Sequence, residues 1–170
     1  HNSVLIPLLS HKVFIEKNEN DNNSTGNKKL YLNTKGNQNT ASGTQSLYSN
    51  TTGSYTTASG YKSLRANTEG SYNTASGYVS MYTNTTGYNN TASGYYSMYT
   101  NTTGYNNTAS GYQSLYSTTT ATDNPAVGQA ALRHATRPAD VNAYNTALGS
   151  NAGHIEHMIF HRAHIMPLSA

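Results

Sequence analysis

The 170-residue chain contains no cysteine and no tryptophan, and charged residues make up only 10% of it. Without cysteine there is no disulfide framework and no thiolate metal site. Ordinary soluble domains carry about 25% charged residues, and here the stretch between Glu69 and Asp123 carries none at all. A nucleic-acid groove needs clustered cations against its phosphates. The formal net charge of +3 comes from scattered Lys and Arg, so nucleic acid is excluded as a partner. No apolar run approaches the roughly 20 residues that span a bilayer, so no transmembrane segment is expected. Val, Ile, Leu and Phe number only 23 together, too few for a conventional core in a chain of this length. The chain begins at His1 rather than Met and is read as a processed form or a fragment.

What is abundant is small and polar: 22 Asn, 24 Thr and 19 Ser, with 15 Tyr. The glycines show why. Gly43, Gly60, Gly77, Gly94, Gly111 and Gly128 are each 17 residues apart, and Ala41 to Ala126 and Leu47 to Leu132 keep the same period. A second row runs through Gly36, Gly53, Gly70, Gly87 and Gly104. Six units without insertion or deletion cover residues 22–123, a degenerate seventh begins at Asn124, and Gly149 lies 21 residues after Gly128. Those four extra residues read as a loop. A strict period means that each unit occupies an equivalent place in a stack. Gly, Asn, Ser and Thr disfavour helix, while Thr and Tyr favour strands. The expected fold is therefore all-β, a parallel β-solenoid of 17-residue coils, with two short strands per coil. One Ala and one Leu or Met per coil make a thin interior. Backbone ladders, Asn and Thr rows and tyrosine columns must supply the remaining stability. Tyr61, Tyr78, Tyr95 and Tyr112 form one such column, and Tyr48, Tyr82, Tyr99 and Tyr116 a second.

The phrases Asn39-Thr40-Ala41-Ser42-Gly43 and Asn145-Thr146-Ala147-Leu148-Gly149 resemble the head repeats of trimeric autotransporter adhesins and the repeats of phage tail-fibre-like bacterial surface proteins. The resemblance spans residues 22–153. It implies a left-handed parallel β-roll, trimeric in the adhesins, with structural or adhesive work outside the cell. The adhesin unit is shorter, and Ser42, Ser59, Ser76, Ser93 and Ser110 stand where that family has Ile or Leu. Assembly into a filament of non-covalently joined subunits is the alternative to a trimer.

The ends differ in composition. Residues 1–21 hold the densest apolar run, Val4 to Leu9, interrupted by Pro7. They read either as a cap over the first coil or as a docking strand donated to the next subunit. Residues 154–170 form a tail in which His154, His157, His161 and His164 share one helical face. A capping or unstructured tail is one reading of it and a zinc-type site the other.

No catalytic constellation stands out, since the repeat block has no His and almost no acid. An enzyme and a cofactor are therefore not expected. Asn-x-Ser/Thr sequons at Asn50, Asn84, Asn89, Asn101 and Asn106, with two more at Asn22 and Asn23, are candidate glycan sites. Abundant Asn and Thr also generate such triplets by chance. The expected function is a non-enzymatic extracellular structural subunit of a surface fibre, partnered by copies of itself and by carbohydrate. The alternative is an ice-binding solenoid, on the ranks Thr83-x-Thr85 and Thr100-x-Thr102 with Ser49-x-Thr51 and Ser117-x-Thr119.

Overall fold

A computed structural model describes residues 21–134 and 145–153. Eight three- or two-residue strands follow one another: β1 (Asn23–Thr25), β2 (Thr40–Ser42), β3 (Thr57–Ser59), β4 (Thr74–Ser76), β5 (Thr91–Ser93), β6 (Thr108–Ser110), β7 (Pro125–Val127) and β8 (Ala147–Leu148). They form one parallel sheet in sequence order. Ala41 pairs with Ala58, Ala58 with Ala75, and so on at 17-residue steps. The chain is an all-β solenoid of about seven coils. Pro125 begins β7 opposite Thr108, the first-residue position that a strand leaves open to proline. Leu132 keeps the period, whereas Ala147 pairs with Ala126 at a step of 21. The insertion therefore falls between residues 134 and 145. The N-terminal segment and the His154, His157, His161, His164 tail lie outside the described residues.

Each coil has one strand, not the two expected from sequence. Thr, Ala and Ser alternate outward, inward and outward along it. The second predicted strand, approaching the Gly53 row, is instead a corner. There the Thr68 carbonyl accepts from three consecutive amides, those of Thr51, Thr52 and Gly53. The same convergence recurs on Thr51, Thr85 and Thr102. A strand needs alternate amides pointing to opposite sides, and these residues point theirs at a single oxygen. Glycine follows because the corners nest closely. A Cβ on Gly70 would sit 2.5 Å from Asn67 Oδ1 and 2.7 Å from Asn84 Nδ2.

Inter-coil hydrogen bonds continue around the turns, for example from Leu64 N–H to the Ser80 carbonyl and from Ala66 N–H to that of Tyr82. The apolar interior is one Ala column and one Leu/Met column, both buried throughout. Leu47, Leu64, Met81, Met98 and Leu115 all have φ between 48° and 51°. That left-handed conformation costs roughly 1–2 kcal/mol for a residue with a Cβ, and burying the side chain returns about 2 kcal/mol. A β-branched residue is more strained there; the column uses Leu and Met, although Val79, two residues before Met81, adopts the same conformation at φ 57°.

Candidate functional site

The remainder of the interior is polar. Asn22, Asn39, Asn73, Asn90, Asn107 and Asn124 form one buried column, with Thr56 in the third place. In it the backbone N–H of each Asn after Asn22 donates to the side-chain oxygen one coil earlier, as from Asn39 to Asn22 at 2.8 Å and from Asn90 to Asn73 at 3.0 Å. Asn50, Asn67, Asn84 and Asn101 form a second column, in which Nδ2 donates to the preceding Oδ1 at 2.7–2.9 Å. The two columns meet on the second glycine row: the Gly87 carbonyl accepts from both Asn73 at 2.7 Å and Asn84 at 3.0 Å. Buried amides are tolerated because almost all of their hydrogen-bonding groups are paired.

This arrangement corrects the glycan reading. Asn50, Asn84 and Asn101 are fully buried, and the Nδ2 that would carry a sugar is already bonded twice in each. They are not attachment sites on the folded chain. Asn89 and Asn106 are exposed and retain an accessible amide, as does Asn23.

The second column ends at a mismatch. Asn101 Oδ1 is buried without a partner, because Thr118 occupies the next place and its hydroxyl donates to the Leu115 carbonyl at 2.9 Å. Replacing Thr118 with Asn would place an Nδ2 beneath that oxygen. The expected result is a gain of about 1 kcal/mol, read as a rise in the urea midpoint with an unchanged slope.

The surface presents three faces. On the strand face, Thr40, Thr57, Thr74 and Thr91 alternate with Ser42, Ser59, Ser76 and Ser93, all exposed. Val127 and Leu148 take the serine place in the last two strands. On the face after the first glycine row the tyrosines stack. Tyr61, Tyr78, Tyr95 and Tyr112 lie with ring centroids 4.9–5.5 Å apart. The second column holds Tyr82, Tyr99 and Tyr116 at 5.3–5.5 Å, with Tyr48 stacked on Tyr31 at 5.2 Å. The gap between Tyr48 and Tyr82 is filled by Arg65, whose guanidinium lies 5.3 Å and 5.7 Å from the two ring centres. Arg133 extends the column beyond Tyr116. A planar cation can replace an aromatic ring in such a stack, so the column is continuous where the tyrosine pattern alone shows a break. Tyr96 stands edge-on between the two columns, 4.4 Å from Tyr95 and 5.1 Å from Tyr99. Near the second glycine row, Tyr55 stacks on Tyr72 and Tyr88 on Tyr105.

Ring neighbours shift two phenols. Desolvation, followed by a hydrogen bond with Tyr96, raises Tyr95 above the usual tyrosine value. Desolvation, followed by the charges of Tyr116 and Tyr82, raises Tyr99. A raised value means that the folded state favours the neutral phenol. The associated stability is complete below the unfolded-chain value, about 10, and is lost as pH rises through the folded value. Melting temperature should therefore fall above about pH 10, and the Tyr95→Phe, Tyr99→Phe double variant should lose less over that interval.

Among the described residues no group of three or more His, Cys, Asp or Glu could hold a metal, and no helix is long and apolar enough to cross a membrane. Compared with family models, curated proteins and solved structures, the chain matches none.

Proposed function

We propose that the chain is a non-enzymatic structural subunit of an extracellular fibre, built from copies of itself. The observation that carries this reading is axial continuity: the sheet, both Asn columns and the tyrosine columns run coil to coil in a single direction. In the described interior the asparagine side chains, Asn101 Oδ1 apart, are spent on one another and on the backbone. The uncharged middle coils would meet a neighbour through hydroxyls and ring edges rather than by charge steering. Carbohydrate contact belongs to the same reading, through the hydroxyl rows. The stacked tyrosines turn their faces to each other and offer a sugar ring only their edges.

Direct imaging of the native material tests the proposal. Regular fibres with an axial repeat near one subunit length support it. Discrete trimers would redirect it to an adhesin-like head, and a chain that stays monomeric under every condition would sink it.

A second reading, ice binding, is favoured by one observation, on a different face from the one the sequence suggests. The Thr83, Thr85, Thr100 and Thr102 hydroxyls donate to backbone carbonyls of the next coil. Those of Thr57, Thr74 and Thr91, and of the serines beside them, make no bond within the described residues and stand exposed in register. Thermal hysteresis lost on Thr74→Tyr would support this reading, and its absence in the unmodified chain would end it.

A further inference from the structure

We propose that the two tyrosine columns joined by Tyr96 are a site of oxidative modification, a pooled array in which phenoxyl radicals meet and couple tyrosines of neighbouring coils. This goes beyond the fibre reading and does not depend on it. Three observations carry it.

The first is chemical selectivity. The chain has no Cys and no Trp, and Met81 and Met98 are wholly buried. Thiol, indole and thioether are the groups that would otherwise compete for an oxidant. Among the described residues tyrosine is therefore the accessible oxidisable side chain, with Tyr61, Tyr78, Tyr95 and Tyr112 at 40–47% exposure.

The second is connectivity. The connected array is Tyr61, Tyr78, Tyr95 and Tyr112 with Tyr82, Tyr99, Tyr116 and Tyr96, each ring 4.4–6.0 Å, centre to centre, from at least one other, while Arg65 separates Tyr48 from it. Tyr96 touches Tyr78 and Tyr95 on one side and Tyr99 and Tyr116 on the other. Coupling needs two radicals side by side at one moment. In an isolated pair both rings must be hit. In a connected array, electrons exchange between touching rings until two separately formed radicals become neighbours.

The third is register. Stacked partners such as Tyr78 and Tyr95, or Tyr99 and Tyr116, come from consecutive coils and lie nearly parallel, with interplanar angles of 9° and 11°.

The oxidant class is hydrogen peroxide acting through a haem peroxidase. Each of two tyrosines gives one electron to the peroxidase and its phenolic proton to water, leaving two neutral phenoxyl radicals. Their ortho carbons form one carbon–carbon bond. The hydrogen on each joined carbon then leaves as a proton, and each oxygen regains one, which restores two phenols. Hydrogen peroxide takes up the two electrons and two protons and becomes two waters. The product ties one coil to the next.

The experiment treats the full chain, dilute enough to be monomeric, with a haem peroxidase and hydrogen peroxide, and maps dityrosine by fluorescence and peptide mass spectrometry. The expected result is cross-links between array tyrosines 17 positions apart, several-fold more abundant than in the urea-unfolded chain and than at the separate Tyr55–Tyr72 pair. Tyr96→Phe keeps the ring packing but cannot form a phenoxyl radical, and it should lower the array yield several-fold with an unchanged circular dichroism spectrum. Tyr55→Phe should leave the array yield unchanged. Equal cross-link patterns in folded and unfolded chains would overturn the proposal, as would an array yield indifferent to Tyr96→Phe.

Discussion

Replacing Gly77 with Ala should unfold the middle of the solenoid. Gly77 has φ of +137°, a conformation that side chains rarely adopt, and an added Cβ would lie 2.5 Å from the Gly94 carbonyl oxygen and 2.7 Å from its carbonyl carbon. Both obstacles are backbone, so no side chain can swing aside. Strained backbone costs of order 1–3 kcal/mol, and forced overpacking a similar amount. The sum, about 4 kcal/mol, is a large share of a total stability of about 5–15 kcal/mol. Because each coil contacts only its neighbours, the damage should be local first. Amide exchange should accelerate in β3 to β5 before β1 or β7, and global melting should lose its single transition. A cooperative melt within a degree or two of the parent would overturn the packing account.

Asn84→Ala should be nearly as damaging although it removes atoms rather than adding them. Its Nδ2 donates to Asn67 Oδ1 and to the Gly87 carbonyl, and its Oδ1 accepts from Asn101. Alanine would leave Asn67 Oδ1 buried without a donor. Net hydrogen bonds contribute about 1 kcal/mol each, and a stranded buried polar group costs about 1–3 kcal/mol more, so a loss of about 4 kcal/mol is expected. Asn89→Ala is the control. Asn89 is exposed, its side chain makes one 3.3 Å bond to Asn106, and its φ of 53° is one that Asn adopts more readily than Ala, so a loss of only about 1 kcal/mol is expected. Equal effects at the two positions would mean that the interior columns do not hold the stack.

The same two asparagines show what a sequence can tell a reader here. The period was legible because Gly, Ala and Leu or Met recur in columns of nearly constant size, and from it came the parallel register and the stacking of Gly60 on Gly77. The aromatic columns were legible for the same reason. Which asparagines face inward was not. Asn84 and Asn89 both head sequons, and only the three-amide corner before Gly87 turns the first inward and leaves the second outside. That corner also hid behind strand-forming threonines, whose propensity gave way to a close approach of backbone at glycine. Arg65 is less legible in a column of tyrosines because its residue type differs, although it lies 17 residues from both Tyr48 and Tyr82. The threonine ranks misled in a simpler way: spacing shows that hydroxyls line up, but not whether their protons are already committed.

The interior asparagines also give the rod a direction. In every bond of the Asn50 to Asn101 column the later amide donates to the earlier one, and backbone N–H groups donate the same way into the other column. Aligned amides polarise one another, so the Asn columns have a donor end and an acceptor end, of which the orphaned Asn101 oxygen is an example, while corner amides such as those of Thr51, Thr52 and Gly53 donate the other way. In the proposed fibre, two rods meeting by like ends would set Asn donors against Asn donors or Asn acceptors against Asn acceptors. Meeting head to tail, they continue each row across the junction. A contact of that kind does not close on itself, so growth at the two tips should proceed at different rates, one tip outpacing the other from the same pool of subunits.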